Sequence, residues 1–241
     1  MSAERWNSAG LQEMVSIAPG ALAPRKLNLF TNWCCQILRP YLTDRRSIAA
    51  ARFADLHADD RHVYADEQQA LLDAARTAVT DLTKWAKAAP TTVERRRRRV
   101  YVFAAQVAQQ AVGNDLPNGG VLSSAKYTAY AFGLANDDFS TDSHDRAERI
   151  RDTHLRLQEN IFREIVGNPF LPVDFDPRWR TDDVLGLARG IYANKAFAHL
   201  PILSDALMDA GCDDERIIGH CRDKCQHVRG CWLIDLILQQ H

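Results

Sequence analysis

Apolar residues recur along most of this chain at three- and four-residue steps, the spacing that lines them up on one face of an α-helix. Leu27, Phe30, Trp33, Cys34, Ile37, Leu38 and Tyr41 form such a stripe and predict a core helix over 25–39, with Pro40 at its end. Thr43-Asp44 offers a cap for the next helix, which runs through Ala49, Phe53 and Leu56. Leu71, Leu72, Ala75, Val79, Leu82 and Trp85 continue the spacing over 66–89, up to Pro90. Beyond Thr91-Thr92, the positions Val100, Phe103, Ala104, Val107 and Ala111 mark another face, which Gly113-Asn114 closes. Asn118-Gly119-Gly120 reads as a turn before an alanine-rich helix near 121–135. Residues 142–166 read as a long charged helix with Ile150, Leu155, Ile161 and Ile165 turned inward.

The pattern breaks at Gly167, where GNPFLPVDFDPRWR carries three prolines and reads as extended chain. This predicts an N-terminal and middle helical bundle over 1–166 and a smaller C-terminal helical module over 167–241. In that module Thr181 with Asp182 and Asp183 starts a helix bearing Val184, Leu187, Ala188 and Ile191 on one face. Three short helices follow, over Pro201 to Met208, Asp213 to Cys221 and Gly230 to Leu238. No strand-like alternation persists, so the expected class is all-α, an irregular multi-helix bundle. Stacked hairpins would give a similar pattern, so a repeat-like array stays open, although no fixed-period self-match is visible.

Composition narrows the function classes. With 30 Lys+Arg against 31 Asp+Glu, whole-chain charge favours no particular partner, and 46% hydrophobic with 25% charged residues is ordinary folded-protein usage. The N-terminal stretch lacks a basic start followed by an apolar core, and no run reaches the roughly 18 apolar residues of a membrane span. The expectation is a cytoplasmic protein with reduced cysteines and no membrane association. HExxH, GxxxxGK[ST], GxSxG and GxGxxG are all missing, so the common hydrolase, nucleotide and nicotinamide readings have no footing.

The chemistry-bearing residues concentrate between Cys212 and Trp232, which hold Cys212, His220, Cys221, Cys225, His227 and Cys231. Thiolate and imidazole are zinc ligands, but the C-x3-C and H-x3-C spacings match no strong finger pattern, and cysteine also packs as a small hydrophobe. Structural zinc is therefore open, and plain packing with hydrogen-bonded histidines and no cofactor is the favoured reading. Cys34 and Cys35 form a second thiol site; neighbours on a helix point about 100° apart, so Cys34 is assigned to the core stripe, and Cys35 is a reactive thiol, a ligand supplied to the C-terminal cluster or a boundary residue, the last favoured.

Glu94 precedes five consecutive arginines, Arg95 to Arg99, which invite a nucleic-acid reading through residues such as Arg95, Arg97 and Arg98. Consecutive arginines wrap around a helix, and without an evident aromatic platform a solvated face is favoured. His57, Asp59, Asp60 and His62, and likewise His144, Glu148 and Asp152, resemble ligands by composition, but ion pairing at the surface is the favoured reading of both sets. Phe170, Phe175 and Trp179 are candidate anchors for a protein partner, with packing between the two modules the favoured use of their rings.

RKLNLFTNWCCQILRPYLTDRRSIAAARFAD, GNPFLPVDFDPRWRTDDVLGLARGIY and HVRGCWLIDLIL together resemble a family of uncharacterised bacterial proteins, especially numerous in planctomycetes. The resemblance covers the two ends of the chain, on Trp6, Leu29, Phe30, Cys34, Cys35, residues 167–192 and His220 to Leu238. It implies no activity. This chain departs from it at Arg222-Asp223-Lys224-Cys225-Gln226, where the family is more often rich in Gly and Pro, so Cys225 is a weak ligand candidate. If a metal is bound, the expected set is a composite of Cys34 or Cys35 with Cys221, His227 and Cys231, joining the two ends of the chain. The functional expectation is a non-enzymatic module for protein interaction or regulation. A metal- or thiol-dependent enzyme using Cys34, Cys35, His220, Cys221, His227 and Cys231 is the alternative, and nucleic-acid binding a second.

Overall fold

A computed structural model describes residues 2–17, 22–59, 64–113, 118–137 and 143–240, with the backbone alone at 118, 119, 143 and 144. The described residues form twelve α-helices and no strands. In chain order these are α1 (Ala3–Ser8), α2 (Leu11–Ile17), α3 (Pro24–Ile37), α4 (Arg45–Leu56), α5 (Ala65–Lys87), α6 (Thr92–Val112), α7 (Asn118–Ala135) and α8 (Ser143–Val166). They continue as α9 (Asp182–Asn194), α10 (Leu200–Asp209), α11 (Glu215–Arg222) and α12 (Trp232–Leu238).

The boundaries follow local chemistry. Pro24 opens α3, where its missing N–H costs nothing. Asp44 caps α4 by accepting from Arg46 N–H, Thr91 caps α6 by accepting from Glu94 N–H, and Thr181 caps α9 by accepting from Val184 N–H. The Asn118-Gly119-Gly120 sequence differs from expectation: it forms the first turn of α7 rather than a separate turn.

Helices α5 to α8 pack in sequence order, each against the next, and α3 lies against α4, α6, α7 and α8. Alanines such as Ala75, Ala78, Ala104, Ala108, Ala111 and Ala125 are buried in these contacts, where small side chains let helices approach closely. The buried stripe of α5 is Ala75, Ala78 and Ala86, whereas Trp85, expected on the core face, is 42% exposed. The central position of α3 also corrects the expectation for Cys35: with helices around it, Cys34 and Cys35 are both buried.

Two principal hydrophobic clusters result. The first centres on Trp6, Phe30, Cys34, Leu38, Phe103, Phe162 and Ile165, and the second on Val184, Ile191, Leu200, Leu203, Leu207, Ile217, Leu233 and Ile237. Val228, from the loop before α12, enters the first cluster. Gly230 lets that loop press onto α3: it has φ +89°, and a Cβ there would stand 2.7 Å from Leu29 Cδ1.

Candidate metal centre

Glu164 sits in the last turn of α8, between buried Phe162 and Ile165. A carboxylate there faces the negative end of the helix dipole and is buried as well, so it requires a strong partner. The C-terminal segment supplies one. On α11, Cys221 points into the second core while His220, one residue earlier, turns toward Glu164. After α11 the chain loops back, with Asp223 accepting from Cys225 N–H, and delivers His227 and then Cys231, the residue that precedes α12.

One ligand atom from each of Glu164, His220, His227 and Cys231 lies within 4.8 Å of all the others, close enough to hold a metal ion. His227 Nδ1 is 2.9 Å from Glu164 Oε1, His220 Nε2 is 3.6 Å from the same oxygen, and His220 Nε2 is 3.2 Å from Cys231 Sγ. A tetrahedral zinc with bonds of roughly 2.0–2.3 Å spaces its ligand atoms roughly 3.3–3.8 Å apart, so small side-chain adjustments suffice. All four side chains are buried or nearly so.

The surroundings orient the group. His227 donates from Nε2 toward the Asp223 carbonyl oxygen at 3.4 Å, the outer contact that aims Nδ1 inward. Burial on its own would lower the His227 pKa, but the hydrogen bond and charge of Glu164, with the Asp223 carbonyl, raise it overall. His220 goes the other way, lowered by burial. Its Nδ1 accepts a hydrogen bond from Trp232 Nε1 at 3.2 Å. Burial, aided by the Glu164 charge, holds the Cys231 thiol well above the usual thiol range, so a proton must leave before that sulfur can ligate.

Of the expected composite, His227 and Cys231 are in this group and the other cysteines are not. Cys34 and Cys35 pack in the first core and Cys221 in the second; burial pushes the thiol of Cys34 up and that of Cys221 to about 12. Cys225 is exposed at the edge, its Sγ 3.7 Å from His227 Nε2. Glu164 was missed, although an acidic residue among inward-facing positions near a helix C-terminus is a readable signal.

The other candidates separate as well. Phe170, Phe175 and Trp179 are not exposed anchors: Phe175 is buried, Trp179 packs edge-on against it at 5.3 Å, and half-buried Phe170 packs edge-on against Trp6 at 6.1 Å. The proline-rich segment lies on the two cores, which consume its rings. In the arginine run, Arg95, Arg96, Arg97 and Arg99 are exposed, whereas Arg98 pairs with Glu94 at 3.0 Å and covers the Trp85 ring at 4.5 Å. Glu148 and Asp152 pair with Arg151. Asp60 and His62 lie outside the described residues, as does the His144 side chain.

Asp59 belongs to a second polar cluster, which ties the N-terminal half to the C-terminal segment. Buried Asp235, on α12, accepts two hydrogen bonds from Arg25 at 2.7 and 3.1 Å and also pairs with Lys26. Arg25 donates to Asp59 and Tyr192, and Arg229 donates to the second Asp59 oxygen at 2.6 Å. Tyr192 donates to Asp59 at 2.5 Å; burial and that bond push its pKa up to about 12.

Comparison with protein-family models, curated proteins and solved structures finds no match to the chain. No helix among the described residues is long and apolar enough to cross a membrane.

Proposed function

We propose that the chain is a non-enzymatic helical module for binding another protein, held in shape by a zinc ion between Glu164, His220, His227 and Cys231. The observation that carries the zinc reading is the convergence of these four side chains, from α8, α11 and the loop before α12, on one buried point. Zinc suits a mixed sulfur, nitrogen and oxygen donor set, and four protein ligands make a closed site of the structural kind. Such an ion would join the end of α8 to the C-terminal segment beside the Arg25–Asp235 cluster. Burial of the group leaves no ready position for a substrate, which favours a scaffold over a catalyst. A thiol-enzyme reading has one observation for it, exposed Cys225 beside His227, and a stronger one against it. Burial and the nearby carboxylates of Glu164 and Asp223 push that thiol to about 12, the opposite of an activated nucleophile.

The test is thermal unfolding of the purified chain with and without a zinc chelator. A lowered melting temperature, restored by zinc and missing in His227→Ala, supports the reading. A melting curve indifferent to chelator and zinc overturns it.

A further inference from the structure

We infer that Trp232 is a positioning residue that sets the zinc affinity of this centre by holding His220 in the tautomer that cannot coordinate. The inference rests on the metal reading and goes beyond it, because it concerns a residue that is not a ligand.

An indole N–H donates and cannot accept. Since Trp232 Nε1 donates to His220 Nδ1 at 3.2 Å, that nitrogen must present a lone pair, and the proton of the neutral ring lies on Nε2. Nε2 is the nitrogen that faces Cys231 and Glu164, and protonated it can donate to them but cannot ligate. Metal binding at Nε2 needs the proton on Nδ1, where it would meet the Trp232 N–H donor to donor. The ion and the Trp232–His220 hydrogen bond therefore exclude each other.

His227 shows the contrast. Its outer nitrogen faces a carbonyl oxygen, which accepts from the tautomer that coordination requires. Two histidines of one group thus carry opposite outer partners, one ready for a metal and one held back. The indole is held in place by its packing. It packs on Gly167, where a Cβ would stand 3.3 Å from Trp232 Cβ and Cγ, and its ring centroid is 4.7 Å from that of His220. Loading the site breaks the Trp232–His220 contact at the first residue of α12, beside the end of the helix that carries Glu164. This makes Trp232 both a brake on the metal and a reporter of its arrival.

The test is calorimetric zinc titration of the metal-stripped wild type and of Trp232→Phe, which keeps an aromatic ring and removes the donor. Both are expected to take up a single zinc, the variant about tenfold more tightly, the scale of one hydrogen bond no longer lost. Tryptophan emission of the wild type is expected to shift as zinc is added, and the variant to lack that shift. Equal or weaker affinity in the variant, with zinc still bound, overturns the role of Trp232 and leaves the metal centre standing. No zinc uptake by either protein overturns both. A measurement on the unmodified chain does not depend on how the variant packs: nitrogen-15 spectra are expected to place the His220 proton on Nε2 without zinc and on Nδ1 with it. A proton on Nδ1 in the zinc-free chain contradicts the inference.

Discussion

Glu164 and His227 stand sixty-three residues apart in the chain, yet Oε1 of the first lies 2.9 Å from Nδ1 of the second. The pair joins the end of α8 to the loop before α12. It also pins that loop at the point where Val228 enters the first core and Gly230 meets Leu29. A buried carboxylate beside an imidazole is stable either as an ion pair with a protonated ring or as two ligands of one cation. The proposed zinc takes the second form.

Asp235 is expected to dominate the stability of the junction. Asp235→Asn removes the buried anion that Arg25 and Lys26 share and leaves two nearly buried cations with less compensation. The expected loss is about 3–5 kcal/mol, measured by urea unfolding. A loss below about 1 kcal/mol would show that water reaches these cations and that the cluster does not bind the halves together.

Asp59 gives the junction an acid dependence. Burial alone would raise its pKa, but the hydrogen bond from Tyr192 and the charges of Arg229 and Arg25 lower it overall. A depressed folded-state pKa contributes stability that is full above the unfolded value near 3.9 and is lost as pH falls through the folded value. Unfolding free energy measured from pH 6 downward is thus expected to drop more steeply below about pH 4 in the wild type than in Asp59→Asn. Superimposable acid limbs would remove Asp59 from the account.

Thiol labelling separates the six cysteines. Cys225 is exposed and the other five are buried, so one equivalent of iodoacetamide is expected to react in the folded chain. The reaction should be slower than with a free cysteine at pH 8, because the Cys225 pKa is pushed up to about 12. Peptide mapping checks the position. Fast labelling of Cys231 would mean that the proposed centre is open to solvent.

Much of this architecture was legible because it rests on local rules. Helix starts at Asp44, Thr91 and Thr181 follow from capping chemistry, and the face Val100, Phe103, Ala104, Val107 and Ala111 follows from the helical period. The site was legible only in part. His220, His227 and Cys231 stood out because they crowd into one short segment. Glu164 shares the inward face of α8 with Ile161 and Ile165, a local signal masked by the many charges of that helix. Cys34 and Cys35 drew attention by rarity, yet their fate was set by the helices packed around α3. Asp235 and Asp59 depend on Arg25, Lys26 and Arg229 arriving from far along the chain, a juxtaposition that periodicity cannot encode.

The most direct measurement of the central claim is the mass of the intact native protein, purified without chelator, beside its zinc content by elemental analysis. A single zinc per chain is expected in the wild type, with most of it lost in Cys231→Ser and in Glu164→Gln and retained in Cys34→Ser. A wild-type chain that carries no metal after purification and takes up none from added zinc would contradict the account.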